Sequence, residues 1–226
     1  MKAAVMCATR NLYPDLGPPI KALLVNSDVE KIYLLLEDDD PGVYLPPECE
    51  VINISGLAAF WRHSPNAFTG WTYIVLIRSQ YHRLLPKVDR VLSLDLDAFA
   101  LADISHLWEL DMSDKLVAGV RETTVLDRPD FPYFNMGVAM LNLELLRRTG
   151  MGDEVMKALQ RRYFQYPEQG AYNAICSGSV LWLPREYNAG KGTEPYGEPV
   201  IRHFMAESKT YRDGEIYKHF AALPWE

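Results

Sequence analysis

The sequence predicts an α/β protein with a mostly parallel central sheet flanked by helices. Apolar segments of strand length alternate with helix-like segments along the 226 residues. Hydrophobic residues make up 48% of the chain, enough for one sizeable core, and no linker or low-complexity tract divides it. We therefore expect one domain that spans residues 1–226.

The first half of the chain alternates strand and helix patterns. Strands are predicted at residues 3–9, 31–38 and 48–55, where β-branched and apolar residues concentrate. A helix opened by proline is predicted at 18–28, and a second helix, with apolar residues three and four apart, at 69–86. Helices between successive strands are typical of parallel pairing.

The second half continues the alternation. Strands are predicted at residues 89–100, 115–121 and 179–184, a strand that passes into a helix at 133–148, and a helix at 168–178. Folds of this class bind their ligands beyond the carboxyl ends of the strands. Polar residues at those ends are therefore the first candidates for a site.

Two aspartates, Asp95 and Asp97, end the apolar run of the predicted strand 89–100. In an extended chain, residues i and i+2 point to the same side about 7 Å apart, so both carboxylates can approach one cation. Oxygen ligands of this kind suit Mg²⁺ or Mn²⁺. On the residues alone a structural role stays open, in which Asp97 caps the next turn and Asp95 pairs with a base such as Arg90.

The amino-acid composition indicates which kinds of partner and which cellular compartment to expect. The chain has 23 Lys and Arg against 30 Asp and Glu, a net charge of −7, which argues against a nucleic-acid partner. Nowhere do eighteen apolar residues run together, so we expect no transmembrane segment. Three cysteines without CxxC spacing, Cys7, Cys49 and Cys176, predict reduced thiols and a cytoplasmic setting.

Several sequence blocks follow one another in an order that resembles a known family. Residues 89–108 are very similar to the metal-binding region of family 8 glycosyltransferases, the retaining enzymes of the glycogenin and lipopolysaccharide galactosyltransferase type. Residues 132–147 resemble the family's FNxGVxxxNL block, and 202–211 resemble its HxxGxxKPW block. PEQGAYNAI at 167–175 and LWLPREYN at 181–188 resemble its DQDxxN and LPxxYN blocks.

The resemblance extends from about Val5 to Tyr211 and implies a fold and an activity. It implies a single GT-A domain with a Rossmann-like, mostly parallel sheet. It also implies a metal-dependent, retaining transfer of a hexose from a UDP-sugar to a hydroxyl acceptor on a sugar or glycoconjugate. Glucose and galactose are the hexoses that the resemblance favours, and composition does not choose between them.

The resemblance further implies a divalent cation, Mn²⁺ or Mg²⁺, bound by Asp95, Asp97 and His203 against the two phosphates of the donor. Lys209 would stabilise the charge on the departing diphosphate. The nucleotide would be bound by residues that match family positions in four regions: Ala8, Thr9, Arg10, Tyr13, Arg78, Leu96, Ala206 and Lys209. Ala206 replaces a family glycine, which leaves the geometry of its loop open.

The donor sugar would contact Glu122, Asn135 and Gly137, and the reacting centre would lie at Glu168 and Gln169. A polar or anionic group beneath the anomeric carbon stabilises an oxocarbenium-like transition state. Here the family's Asp–Gln pair is Glu–Gln, and a second family aspartate is Gly170.

Several of these residues also have a structural explanation that the sequence leaves open. His203 could be a packed, hydrogen-bonded histidine and Arg78 a structural ion pair. Arg10 and Lys209 could be surface charges, and Glu168 could serve the first turn of a helix. At the level of the whole chain, the alternatives are a UDP-sugar sensor that has lost turnover and, less favoured, a nucleotidyltransferase. The segment MCATRNLYP lacks the glycine-rich phosphate loop that a nucleotidyltransferase normally carries.

Overall fold

The structure is a computed structural model that describes residues 1–68, 73–123, 131–205 and 209–225, with the backbone alone for Lys209 and Thr210. Within those ranges the predicted α/β architecture is observed. The thiols of Cys7, Cys49 and Cys176 are free, as predicted.

A seven-stranded mixed sheet forms the centre of the molecule. Its strand order is β3-β2-β1-β4-β7-β6-β8, and β7 alone runs against the other six. A separate antiparallel pair joins β5 to β9. The strands are β1 Ala3–Ala8, β2 Lys31–Leu36, β3 Cys49–Asn53, β4 Arg90–Leu94, β5 Ala98–Ala100, β6 Val117–Arg121, β7 Phe134–Asn142, β8 Val180–Leu183 and β9 Ile201–His203.

The prediction of one strand over residues 89–100 is wrong in one respect. The strand divides into β4 and β5, and the chain turns between them at residues 95–97. The Asp95 N–H donates to the Gly137 carbonyl (2.8 Å), and the Ala98 N–H donates to the Asp95 carbonyl (3.0 Å), which closes the turn. The two aspartates thus lie in a turn beyond the sheet, where a charged side chain keeps access to solvent.

Helices cover both faces of the sheet. They are α1 Gly17–Val25, α2 Ala58–Trp61, α3 Ile74–Ile77, α4 Tyr81–Leu84, α5 Leu143–Thr149, α6 Met151–Arg161, α7 Pro167–Cys176 and α8 Glu215–Ala222. The single helix predicted at 69–86 is instead α3, a 3₁₀ turn at Arg78–Gln80 and α4, with its first four residues outside the described ranges. The sequence reasoning assigned no helix at α6 or α8.

Alternate residues of the central strands supply two apolar cores. Ala3 and Val5 of β1 pack with α3 to α7 on one face, whereas Ala4 and Met6 pack with α1 on the other. A smaller cluster packs the C-terminal segment against α1 and β5 through Phe204, Tyr211 and Phe220, among others. No described helix is long and apolar enough to cross a membrane.

Candidate active site

A cavity of about 770 Å³ opens where the parallel strands β1, β4 and β6 end. Its position is the one that α/β sheets use for ligands. Of the residues predicted for the site, those that line the cavity are Arg78, Asp95, Leu96, Asp97, Glu122, Asn135, Gly137, Glu168, Gln169 and His203. The structure therefore gathers the predicted metal, donor-sugar and catalytic residues in one place.

Asp95, Asp97 and His203 form a cluster of possible metal ligands in this cavity. One ligand atom from each lies within 4.8 Å of the others. The His203 Nε2 atom is 3.3 Å from Asp97 Oδ1 and 3.6 Å from Asp95 Oδ2. Two carboxylates and one imidazole are a donor set that Mn²⁺ accepts, and Mg²⁺ also binds through carboxylates. The residues present therefore fit the predicted cation.

The β5–β9 pair brings these ligands together from distant parts of the chain. Ala98, next to Asp97, lies opposite His203 in the register. The Phe204 N–H donates to the Asp97 carbonyl (3.0 Å), which fixes the Asp97 backbone against the end of β9.

Close packing behind the ligands requires glycine at position 137. A Cβ atom there would lie 2.0 Å from His203 Cε1 and 2.8 Å from Asp95 Oδ2. Because both contacts are too short for real atoms, any side chain at this position would displace the imidazole or the carboxylate. Gly137 is therefore a packing requirement of the candidate cation site.

The charges of the cluster depend on one another. Burial disfavours the ionised Asp95 carboxylate, but Arg78 and His203 outweigh it and lower the pKa of Asp95 to about 2. Burial likewise disfavours the imidazolium of His203, but Asp95 and Asp97 raise its pKa to about 9. Without a cation, a proton on His203 supplies the positive charge that the two carboxylates require.

Arg78 links the candidate cation site to the predicted reacting centre. Its Nη1 atom is 2.5 Å from Asp95 Oδ1 and 3.3 Å from Glu168 Oε1. Its Nη2 atom donates to the Met136 carbonyl (2.7 Å) and to Ser93 Oγ (3.2 Å). The guanidinium is buried, and its planar fork serves four partners at once, which a lysine could not do.

Glu168 lies in the first turn of α7 and is buried beside Arg78. Burial raises the pKa of its carboxyl, Arg78 opposes the increase, and the nearby Asp95 charge adds to it. A carboxyl group in a cavity whose pKa is shifted by burial and by specific charged neighbours is typical of functional sites and also of structural ion-pair networks.

The family aspartate that Gly170 replaces would not fit this packing. A Cβ atom at Gly170 would lie 2.8 Å from Phe164 Cδ1. The Phe164 ring occupies the space that a side chain at position 170 would enter.

The predicted nucleotide residues of the first loop are not among the residues that line the cavity. Arg10 forms a two-pronged ion pair with Asp38. Tyr13 is buried, accepts from the Glu37 N–H (2.8 Å) and donates to Asp38 Oδ2 (3.1 Å). Ala8 is buried within β1, and the Thr9 hydroxyl donates to Asn11 Oδ1 (2.6 Å). Their contact with a nucleotide stays a prediction.

The sequence reasoning missed several residues that line the cavity, among them Cys7 of β1, Leu12 of the first loop, and Ile74 and Val75 of α3. These four are apolar or weakly polar, and no sequence signal separates them from core residues. Burial raises the pKa of the Cys7 thiol to about 12, which keeps it neutral.

The C-terminal part of the predicted nucleotide site is described only in part. Ala206 lies outside the described residues, and the backbone of Lys209 begins a 3₁₀ turn at Lys209–Asp213. Tyr211 and Arg212 of that turn line the cavity, and Arg212 is ion-paired with the buried Asp15. This pair holds the segment that carries Lys209 against the 3₁₀ helix at Arg10–Asp15, which precedes α1.

The sequence matches the family model "Glycosyl transferase family 8" over residues 47–213. The chain therefore belongs to glycosyl transferase family 8, as the sequence blocks predicted.

Two curated relatives differ in how much of their length the chain matches. It is 30% identical to a lipopolysaccharide 1,2-glucosyltransferase of Escherichia coli over 129 residues, 49% of this chain and 38% of that protein. It is 25% identical to general stress protein A of Bacillus subtilis over 98% of this chain and 93% of that protein.

Among solved structures, the galactosyltransferase LgtC, crystallised with donor and acceptor sugar analogues, resembles the chain with a TM-score of 0.76. The two are 16% identical, and the match covers 98% of this chain and 97% of that one. At this identity the likeness concerns the fold alone, and it confirms the predicted GT-A fold.

Proposed function

We propose that this protein is a metal-dependent, retaining glycosyltransferase that moves a hexose from a UDP-sugar to a hydroxyl acceptor. The observation that carries the proposal is the Asp95–Asp97–His203 cluster, which shares one cavity with Glu168 and Gln169 in a member of glycosyl transferase family 8. Glucose and galactose are the proposed hexoses, on the resemblance and on the names of the relatives.

In the proposed reaction, the bond from C1 of the sugar to the UDP oxygen breaks and a bond from C1 to the acceptor oxygen forms on the same face. The acceptor proton passes to an oxygen of the departing diphosphate. A bound Mn²⁺ or Mg²⁺ would neutralise charge on that diphosphate. Asp95, Asp97 and His203 would hold the cation, Lys209 would add a positive charge, and Glu168 and Gln169 would stabilise positive charge on the sugar.

The proposed partners are therefore a UDP-sugar and a sugar or glycoconjugate with a free hydroxyl. We extend the proposal to one GT-A domain over residues 1–226. The cytoplasmic setting stays a prediction from the cysteine pattern.

A UDP-sugar sensor with little turnover is the second candidate. It is favoured by the two departures from the family's acidic motif, Glu168 and Gly170, and by Phe164, which occupies the space of the missing aspartate side chain. Both candidates require the same ligands, so turnover of the donor separates them.

Thermal unfolding with UDP and Mn²⁺, singly and together, tests the ligand site that both candidates share. UDP at about one hundred times its Kd in Mn²⁺ should add about 2.7 kcal/mol of apparent stability. For a chain of this size that is a melting shift of about 5 to 10 °C. Either ligand alone should give clearly less, because each supplies charge that the other lacks.

Asp97→Ala is the matched control and should abolish the synergy without loss of the fold. Equal shifts with UDP in chelator and in Mn²⁺ would contradict the cation site. A larger response to a nucleoside triphosphate than to UDP would favour a nucleotidyltransferase. Slow, metal-dependent hydrolysis of a UDP-sugar would favour the enzyme, and synergy without hydrolysis or transfer would favour the sensor.

A further inference from the structure

Asn188 connects the candidate cation site to the candidate donor-sugar site. It follows β8 in a 3₁₀ turn at Arg185–Asn188, and its side chain is completely buried. Its Oδ1 atom lies 2.8 Å from His203 Nδ1, and its Nδ2 atom donates to Asn135 Oδ1 (3.0 Å). A buried amide with a partner at each end restricts both neighbours.

One backbone N–H determines the orientation of this chain of hydrogen bonds. The Gly137 N–H, which can only donate, lies 2.8 Å from Asn135 Oδ1. The Asn135 atom that faces Asn188 is therefore an oxygen, so Asn188 must present its amide N–H to it. The Asn188 oxygen then faces His203, and the Nδ1 atom of His203 must carry a proton.

The consequence falls on the other nitrogen of the imidazole. With a proton held on Nδ1, a neutral His203 presents the lone pair of Nε2 toward Asp95 and Asp97. A partner on the distant ring nitrogen decides in this way which nitrogen of a histidine can bind a metal.

A second backbone N–H fixes the other branch of the network. The Met136 N–H donates to Gln169 Oε1 (3.0 Å). The Nε2 atom of Gln169 therefore faces Glu122 and donates to its Oε2 atom (2.8 Å). The same Glu122 oxygen accepts from Asn135 Nδ2 (2.9 Å). Continuous hydrogen bonds thus run from His203 through Asn188, Asn135 and Glu122 to Gln169.

We infer that Asn188 is a positioning residue: it holds the proton of His203 on Nδ1, so that Nε2 faces the cation, and it ties that imidazole to the residues around the donor sugar. The inference deepens the proposed function in its account of the cation and the sugar. The hydrogen-bond orientation itself does not depend on that function.

NMR of ¹⁵N-histidine-labelled protein tests the orientation in the wild-type chain, with His203→Gln to assign the signal. Without metal, the Nδ1 proton of His203 should exchange slowly with solvent, because it is buried and hydrogen-bonded. When Cd²⁺ and UDP are added, Nε2 should bind the cation and Nδ1 should keep its proton. A rapidly exchanging Nδ1 proton, or a neutral His203 with its proton on Nε2, would overturn the inference.

Asn188→Leu removes both hydrogen bonds with little change of volume, and Asn188→Asp keeps the acceptor for His203 while it removes the donor to Asn135. We expect Asn188→Leu to weaken Mn²⁺ binding by about 10- to 100-fold, the usual effect of losing a partner of a metal-bound histidine. Asn188→Asp should keep Mn²⁺ affinity near the wild-type value. Electron paramagnetic resonance of free Mn²⁺ measures both affinities in the presence of UDP.

Asn142→Leu is the control for general destabilisation. Asn142 is buried at the far end of β7, where it accepts from the Leu145 N–H and donates to the Met112 carbonyl. Asn142→Leu therefore also removes two buried hydrogen bonds. Equal Mn²⁺ affinity in Asn142→Leu and Asn188→Leu would overturn the inference, as would an equal loss in Asn188→Asp and Asn188→Leu. If wild-type protein binds no Mn²⁺ with UDP, the proposed function fails, while the metal-free NMR result still decides the role of Asn188.

Discussion

The Nη1 atom of Arg78 lies 3.3 Å from Glu168 Oε1, and the same atom lies 2.5 Å from Asp95 Oδ1. One buried guanidinium thus pairs with a proposed metal ligand and with a proposed catalytic carboxylate. Arg78→Met should destabilise the protein by about 3 to 5 kcal/mol, because it leaves buried carboxylates without their partner. Urea denaturation in chelator measures the loss.

The double variant Arg78→Met with Glu168→Gln is the control for that first prediction. It should be destabilised by less than the sum of the two single variants, because the neutral amide no longer needs the guanidinium. Strict additivity would show that the two side chains do not stabilise each other.

Glu168→Gln by itself should reduce turnover more than UDP affinity. Its proposed contact is with the sugar as charge develops, and the nucleotide lies outside its reach in that arrangement. Steady-state kinetics with a UDP-sugar and titration calorimetry with UDP separate the two effects. A loss of UDP affinity in proportion to the loss of turnover would indicate a structural role.

Gly137→Ala should weaken Mn²⁺ binding in the presence of UDP by an order of magnitude or more, because the new methyl group would collide with the His203 ring. Gly119→Ala is the matched control in the adjacent strand, where a Cβ atom would meet the Phe134 side chain at an ordinary 3.5 Å. Comparable Mn²⁺ affinities in the two variants would contradict the packing requirement at Gly137.

The pKa of His203 predicts how stability depends on pH. In chelator, a pKa raised to about 9 from an ordinary 6.5 gives stability that is complete below pH 6.5. That contribution disappears as the pH rises through about 9, because His203 loses the proton that faces Asp95 and Asp97. Melting temperatures from pH 6 to 9.5 measure it, and His203→Gln should lack this component.

Mn²⁺ with UDP should counteract this loss of stability at high pH, since the cation and the proton compete for the His203 nitrogen that faces Asp95 and Asp97. The stabilisation by Mn²⁺ should therefore be larger at pH 9 than at pH 6.5. If the stabilisation by Mn²⁺ did not depend on pH, the cation would not be displacing a proton from His203.

Periodicity predicted most strands, and the resemblance to the family pointed to ten residues that line the cavity, whose roles stay predictions. The turn at residues 95–97 escaped prediction because the apolar pattern of β4 continues into β5, although the second strand pairs with β9 outside the main sheet. The helix expected at 69–86 was divided because its middle residues take a 3₁₀ turn at Arg78–Gln80, a difference in hydrogen bonding that apolar spacing does not reveal.

Asn188 shows why part of the site could not be predicted. It stands in the block LWLPREYN, but the block gives no sign that its amide contacts His203 or Asn135. Such contacts depend on how the turn after β8 meets β7 and β9. Cys7 and Leu12, which line the cavity, were missed for a similar reason, since only the tertiary packing distinguishes a residue of the cavity wall from a core residue.

The β5–β9 pair also has a consequence for biosynthesis. β8, the last strand of the large sheet, ends at Leu183, before His203 has been synthesised. Because chains emerge from the ribosome N-terminus first, all seven strands of that sheet are available before His203, the third proposed metal ligand, is. A nascent or C-terminally shortened chain could thus assemble its scaffold without a complete cation site. Uptake of the cation would then mark the moment at which the C-terminal segment has joined the fold.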